Sequence, residues 1–181
     1  HDFEKRVAAA LAGDFKTALQ EWHPLAEQGD VKAQKILAVM HYYGRGVPQD
    51  CAEAVKWYRL AAEQGDPEAE FGLAQMYASG EGVEKDSEQA VVLFTRAADQ
   101  GHRQSMQVLI LAYEKGQLNL RVDYDKAVAW LNAGVEAGDP WAIKRLAKAH
   151  RIGELGLRYD PERAQALEQK LQEAEKETAL Q

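Results

Sequence analysis

Residues 65–101 read GDPEAEFGLAQMYASGEGVEKDSEQAVVLFTRAADQG, and the pattern of this stretch recurs along the chain. Glycines followed by Asp or His stand at Gly29, Gly65, Gly101 and Gly138, at intervals of 36, 36 and 37 residues. Several other residue classes keep the same interval, and their joint register through four copies indicates an internal repeat. These classes include Leu37, Leu73, Leu109 and Leu146; Ala54, Ala90, Ala127 and Ala164; and Asp50, Asp86, Asp123 and Asp160.

Each copy predicts two helices joined by a short loop. In the first copy, apolar residues at helical spacing predict a helix over residues 31–43. Gly44 ends this helix, because glycine adopts the left-handed conformation without steric cost. Asp50 stands at the N-cap of the second helix, where its carboxylate accepts backbone N–H groups. The loops after Gly116 and Gly153 are one residue longer and have lost the Gly-x-Gly-Val pattern, so we expect them to differ in shape.

The repeat predicts an all-α fold, a right-handed α-solenoid of stacked antiparallel helix hairpins. We expect residues 1–181 to form a single repeat domain. Its predicted parts are an N-terminal hairpin similar to a tetratricopeptide repeat (2–28), repeat one (29–64), repeat two (65–100), repeat three (101–137), and repeat four with an extended C-terminal capping helix (138–181).

Residues 69–90 resemble the SEL-one-like repeat, a relative of the tetratricopeptide repeat, through the pattern Ala-x-x-x-Leu-Ala-x-x-Tyr-x-x-Gly-x-Gly-Val-x-x-Asp-x-x-x-Ala. Residues 54–65 resemble its second helix, and the resemblance extends over about residues 29–171. The chain departs from the pattern at His41 and His150, which replace its Tyr. The resemblance implies an adaptor that assembles protein complexes, often in bacterial envelopes. Residues 13–22 are similar to the opening of bacterial secreted members, which implies a periplasmic or secreted protein, with the cytoplasm as the alternative.

Composition and motifs argue against several other functions. The net charge of −7 disfavours nucleic acid as a partner, because phosphate binding needs a basic surface. The chain contains no run of eighteen apolar residues, so no membrane span is predicted. The lone Cys51 excludes an internal disulfide and a multi-cysteine zinc site. The five histidines form no i, i+4 pair, and the Gly-x-Gly loops recur as hairpin turns that follow no strand. We therefore expect no enzyme activity, no cofactor and no metal.

The first helix of each repeat lines the concave face in stacks related to tetratricopeptide repeats, and we expect the partner to bind there. The predicted aromatic end of this face centres on Tyr42, Tyr43 and Phe71. Lys144, Lys148 and Arg151 share one helical face at i, i+4 and i+7, a possible site for an acidic segment of the partner or an ordinary solvated face. The full set of predicted partner-binding residues is Lys35, Val39, Tyr42, Tyr43, Phe71, Gln75, Gln107, Leu111, Trp141, Lys144, Lys148 and Arg151.

Two readings of the partner remain open at this level. The first is a protein or peptide, bound by a non-catalytic adaptor that is a monomer or a weak homodimer. The alternative is a polysaccharide or cell-wall fragment, which needs aromatic and polar side chains such as Trp141, Gln104 and Gln107. Trp141 begins a first helix where other repeats carry polar residues, so it is either an exposed anchor or part of the core.

Overall fold

The computed structural model describes residues 15–179, with side chains described for residues 18–173 and 176. This part of the chain forms nine α-helices. They are α1 (Phe15–Glu27), α2 (Val31–Tyr43), α3 (Cys51–Glu63), α4 (Pro67–Ser79), α5 (Ser87–Asp99), α6 (Arg103–Lys115), α7 (Tyr124–Glu136), α8 (Pro140–Ile152) and α9 (Pro161–Ala179). The prediction of an all-α chain of helix pairs is confirmed for these residues. Residues 2–14 of the predicted N-terminal hairpin lie outside the described residues.

The predicted caps explain why the helices begin and end where they do. α2, α4, α6 and α8 each end at a glycine with positive φ, whose N–H donates to the carbonyl four residues earlier. Asp50 and Asp66 accept hydrogen bonds from the backbone N–H groups of Glu53 and Ala69, and so occupy first-turn donors that have no partner within the helix. His102 replaces Asp at one of these caps and accepts through Nδ1 instead.

Each described hairpin is closed by the same backbone hydrogen bond. The N–H of the cap Asp that follows the loop donates to the carbonyl of the residue in the family's Tyr position, for example Asp50 to His41 at 2.9 Å. The other three pairs are Asp86 to Tyr77, Asp123 to Tyr113 and Asp160 to His150, at 2.8–2.9 Å. Because this contact uses only backbone atoms, it tolerates His in place of Tyr.

The chain forms two compact units, divided between Ala97 and Ala98. In unit 1, α1, α2 and α3 enclose a cluster that includes Trp22, Leu37 and Trp57. In unit 2, α6 to α9 enclose a cluster that includes Leu131 and Ile143. Burial of these apolar stripes, at about 25 cal/mol per Å², holds neighbouring helices together. None of the described helices is long and apolar enough to cross a membrane.

The loops differ in shape between the two units, as the sequence predicts. Gly82, in the short loop after α4, has φ +71°. Leu118 and Leu155 hold the same place in the two longer loops and keep a positive φ, of 54° and 56°. A second left-handed residue follows each of them, Asn119 and Gly156. Leu155 is buried in the core of unit 2, so the longer loop contributes a side chain where the short loop has none.

Candidate functional site

The first helices of unit 1 are joined through the side chains of one face, here called the first-helix face. Lys35 of α2 forms salt bridges with Asp66, 3.1 Å away, and Glu68, 2.6 Å away, at the start of α4. At the other end of α2, the Tyr42 hydroxyl donates a hydrogen bond to the Glu81 carboxylate at 2.6 Å, just beyond α4. These contacts fix α2 and α4 side by side, with their beginnings together and their ends together.

The two carboxylate oxygens of Asp66 make different contacts. Oδ1 accepts the capping hydrogen bond from the Ala69 N–H, and Oδ2 faces the Lys35 ammonium group. Partial burial alone would lower the pKa of Lys35, but the hydrogen bonds to Glu68 and Asp66 outweigh it and raise that pKa. Lys35 therefore stays charged and holds the start of α4, so it serves the packing of the two repeats as well as the surface.

An aromatic cluster stands at the end of α2 on the same face. The rings of Tyr42 and Tyr43 meet edge to face, with centroids 4.8 Å apart. The Arg45 guanidinium lies 5.0 Å from the centroid of the Tyr43 ring. Tyr43 is 59% exposed, while Tyr42 is held by Glu81. The cluster therefore presents one exposed aromatic ring, with the Arg45 guanidinium beside it and the neighbouring Tyr42 hydroxyl held by the Glu81 carboxylate.

The other residues predicted for this face of unit 1 are less open. Val39 is half-buried, and Gln75 is exposed. Phe71 is half-buried, and its ring centroid lies 5.7 Å from that of Phe94, which is buried in α5. Phe71 thus packs toward the second helix of its own repeat. Tyr58 of α3, which is not among the predicted partner-binding residues, approaches Gly72 so closely that a Cβ there would lie 2.8 Å from its ring.

The Tyr42–Glu81 hydrogen bond predicts an unusual alkaline titration. This bond, followed by burial, raises the pKa of Tyr42 to about 12, and burial raises the pKa of Tyr58 to about 12. We expect both to ionise well above pH 10, which can be followed by tyrosinate absorbance. In Glu81→Gln, one late tyrosine should move toward pH 10.

The raised pKa of Tyr42 also makes the free energy of unfolding depend on pH. Since the folded-state pKa of Tyr42 lies above the unfolded value near 10, its contribution is complete below pH 10 and is lost as the pH rises toward 12. Tyr42→Phe is the control, because it should remove one late tyrosine and leave Tyr58 in place. A titration of Glu81→Gln identical to that of the parent chain would contradict this assignment.

Unit 2 repeats the first-helix contacts with different residues. Gln107 of α6 corresponds in register to Lys35, and it donates to Oδ2 of Asp139, the cap of α8, at 3.2 Å. Glu114 and Glu154 correspond to Tyr42 and Glu81. Two carboxylates thus stand where unit 1 has a tyrosine and a carboxylate.

Arg145 of α8 lies between the two carboxylates and neutralises their mutual repulsion. Its guanidinium lies 3.1 Å from Glu114 and 2.9 Å from Glu154. The side chain of Arg145 is 19% exposed and that of Glu114 is 9% exposed, so the pair is largely removed from water. Arg145 is therefore part of the packing between repeats three and four, and it is not an additional free cation beside the predicted basic residues.

The predicted basic residues of α8 lie on the surface, but they are not equivalent. Lys144 and Lys148 are exposed, and Arg151 forms a salt bridge of 2.5 Å with Glu168 of α9. Leu111 of α6 is half-buried. Trp141 is half-buried and packs against the core cluster of unit 2. Of the two roles predicted for Trp141, exposed anchor and part of the core, it has something of each, since its ring covers apolar core residues and remains partly exposed.

Candidate metal-binding groups do not converge in the described residues. No group of three or more His, Cys, Asp or Glu side chains there could hold a metal ion. Nδ1 of His41 and of His150 is buried, and neither meets a hydrogen-bond partner in the described part of the chain. Cys51 is half-buried at the start of α3. The described fold thus defines a protein of the helical repeat class.

A sequence model of the Sel1 repeat matches residues 31–66, 67–102, 110–139 and 142–169. The chain therefore belongs to the Sel1 repeat family, which confirms the resemblance found in the sequence. Proteins of this family are generally scaffolds for protein interactions and are generally non-catalytic.

Solved structures are similar over most of this chain. One is a protective antigen present in uropathogenic Escherichia coli strains, described as displaying an SLR fold; it is 33% identical with a TM-score of 0.76, over 87% of this chain and 33% of that chain. Another is a Sel1 repeat protein from Oxalobacter formigenes, 26% identical with a TM-score of 0.79, over 90% of this chain and 66% of that chain. No curated protein matches the chain. The chain has the all-α repeat solenoid fold, and it spans a third of the first structure and 66% of the second.

Proposed function

We propose that the chain is a non-catalytic adaptor that binds a protein or peptide segment on its first-helix faces, with Tyr43 as the principal anchor in unit 1. The observation that carries this proposal is the aromatic cluster at the end of α2. Tyr43 is 59% exposed, although its neighbours Tyr42 and Arg45 are fixed around it. Large aromatic side chains of this kind supply much of the binding energy at protein interfaces.

The setting of Tyr43 also favours binding on energetic grounds. Edge-to-face contact with Tyr42 restricts the ring before any partner arrives, so less side-chain entropy is lost on binding. The Tyr42–Glu81 hydrogen bond and the Lys35 salt bridges hold α2 against α4 beneath it. A partner thus meets a pre-organised surface that offers the Tyr43 ring and the Arg45 guanidinium at the end of α2, with the Glu81 carboxylate just beyond the end of α4.

Replacement of Tyr43 by Ala should weaken partner binding by about 2 kcal/mol, about thirtyfold in Kd, as expected for an interface anchor. The partner is first identified by affinity capture with mass spectrometry, and Kd is then measured by calorimetry with the purified partner. Phe71→Ala is a poor probe, because Phe71 packs on Phe94 and its loss would leave a cavity.

Leu60→Ala is the matched control for this experiment, since Leu60 is also an exposed apolar side chain of unit 1 but lies on the second helix α3. It should bind the partner with the parent Kd. If Tyr43→Ala keeps its helical spectrum and binds the partner with the parent Kd, the first-helix face of unit 1 is not the binding site. Lys148→Glu in the same assay shows whether the partner presents an acidic segment to α8.

A polysaccharide or cell-wall fragment is less well supported as the ligand. Gln107 donates its side-chain amide to Asp139, and Trp141 covers the core of unit 2. Two of the three side chains that this alternative requires are thus engaged within the fold. Retention on a glycan array, together with the absence of a captured protein, would favour this alternative.

The bacterial envelope is the compartment that we propose, in the periplasm or outside the cell. The support is the similarity to a protective antigen present in uropathogenic Escherichia coli strains, together with the resemblance of residues 13–22 to secreted members. Fractionation of cells that express the whole gene product tests it. A monomer or weak homodimer is proposed for the chain alone, and sedimentation equilibrium distinguishes the two.

A further inference from the structure

Exposed apolar side chains gather on the two loops of unit 2 that follow α6 and α8. Val122 is 52% exposed, Tyr124 44%, Ile152 54% and Tyr159 69%. Each of them lies in one of these loops or at the adjoining helix end. Apolar surface of this extent at one edge marks an interaction site more often than scattered exposed residues do.

The two loops lie at the same end of unit 2. α6 and α8 are each followed by an antiparallel second helix, and Arg145 joins Glu114 at the end of α6 to Glu154 in the loop after α8. Val122 and Tyr159 hold the same register position, because each directly precedes the cap Asp whose N–H closes the hairpin. Their side chains therefore belong to one edge of the unit.

This edge also carries cations. Arg121 and Arg158 precede Val122 and Tyr159, and both are exposed. Among the described side chains, those of residues 18–173 and 176, neither guanidinium forms a salt bridge or a hydrogen bond to another side chain. The corresponding positions in repeats one and two hold Pro48 and Glu84. Repeat architecture thus does not require arginine here, and the paired Arg-apolar-Asp sequences are a property of the two longer loops.

We propose that this loop edge, formed by Arg121, Val122, Tyr124, Ile152, Arg158 and Tyr159, is a second docking surface, which binds an acidic protein segment that carries apolar side chains. Charge complementarity selects the acidic partner, since the edge has two arginines that meet no carboxylate among the described side chains, in a chain of net charge −7. The exposed rings and aliphatic groups select apolar side chains. An anionic lipid surface fits less well, because such surfaces are usually recognised by clusters of about four to eight cations.

The test uses the full chain to select from a displayed library of short random peptides, followed by Kd measurements with the enriched peptides. We expect enrichment of Asp or Glu together with Leu, Phe or Tyr, and a Kd that rises with salt as surface charges are screened. The double variant Arg121→Glu/Arg158→Glu should bind the same peptides about tenfold more weakly, a loss of about 1.4 kcal/mol. Val122→Ser/Tyr159→Ser should lose a similar factor.

Matched controls separate this surface from the first-helix faces. Lys56→Glu changes an exposed cation of α3 in unit 1, and Leu60→Ser with Val92→Ser changes exposed apolar residues of unit 1. Both should keep the parent Kd for the enriched peptides. Tyr43→Ala should also keep the parent Kd for these peptides. The loop-edge proposal can therefore fail while the proposal for the first-helix face stands, and the reverse.

Three outcomes would overturn the loop-edge proposal. In the first, the enriched peptides are basic or lack apolar residues, or they bind equally well to Arg121→Glu/Arg158→Glu. In the second, vesicles of phosphatidylglycerol bind the chain, the double arginine variant abolishes this binding, and no acidic peptide is enriched. In the third, the parent chain dimerises in sedimentation experiments and Val122→Ser/Tyr159→Ser is monomeric, which would assign the edge to a second copy of the chain.

Discussion

Gly82→Ala should destabilise unit 1 by about 3 kcal/mol, the sum of a left-handed backbone cost and an overpacking cost. Gly82 has φ +71°, where an L side chain is strained. A Cβ at this position would lie 2.3 Å from the carbonyl carbon and oxygen of Cys51 and 2.7 Å from the Ala52 nitrogen. These are backbone atoms of the first turn of α3, so they cannot move aside as a flexible side chain would. The loop after α4 must therefore lift off α3.

Urea unfolding gives the free-energy change, and hydrogen exchange followed by mass spectrometry locates it. Exchange should accelerate in α3, in α4 and in the loop between α4 and α5, while α8 and α9 keep their protection. Gly65→Ala is the control, because Gly65 has φ +80° with no atom within 4 Å of the added Cβ, and it should cost only about 1 kcal/mol. Equal losses in the two variants would show that the contact with Cys51 relaxes freely.

The same loop position shows what the repeat pattern could and could not predict. The extra residue and the loss of glycine after Gly116 and Gly153 predicted a different loop shape, which the structure has. The pattern could not predict that Leu118 and Leu155 retain a positive φ, because that conformation depends on how the added residue redirects the chain. It also could not predict that Leu155 is buried in the core of unit 2.

Helix limits were predictable because their causes are local. Asp50 caps the N-terminus of α3 and Gly44 ends α2 through interactions within a few residues, so sequence is sufficient to place them. The surface was harder to predict, because neighbouring repeats compete for the same side chains. Lys35 lies on the predicted face, yet its ammonium group is taken by Asp66 and Glu68 of the next repeat.

Comparing equivalent positions of the repeats could have predicted some of these contacts between neighbouring repeats. Lys35 and Gln107 hold one position, and Asp66 and Asp139 hold the position that receives them. The recurrence of a donor opposite an acid, one repeat apart, could have been read as a contact between repeats. The half-burial of Trp141 had no such signal, since it depends on how its ring lies against the cluster of unit 2.

Arg145→Met should destabilise unit 2 by about 3 kcal/mol, because removing one partner of a buried ion pair leaves an uncompensated charge. The side chain of Glu114 is 9% exposed, and its Oε1 is buried without a hydrogen-bond partner in the described part of the chain. Arg145 is thus the cation on which this carboxylate depends. Methionine fills a similar volume, so the loss measured by urea unfolding reports mainly on charge.

Arg151→Met is the matched control, with the same substitution on the same helix at an exposed salt bridge to Glu168. Exposed pairs contribute little, so this variant should lose no more than about 1 kcal/mol. Glu114→Gln added to Arg145→Met should restore most of the stability, since a neutral amide costs less to bury than an unpaired carboxylate. Without that recovery, the loss would come from packing of the arginine stem. If stability recovers, the Arg145–Glu114 ion pair joins repeats three and four, and the Arg145 guanidinium is not available to a binding partner.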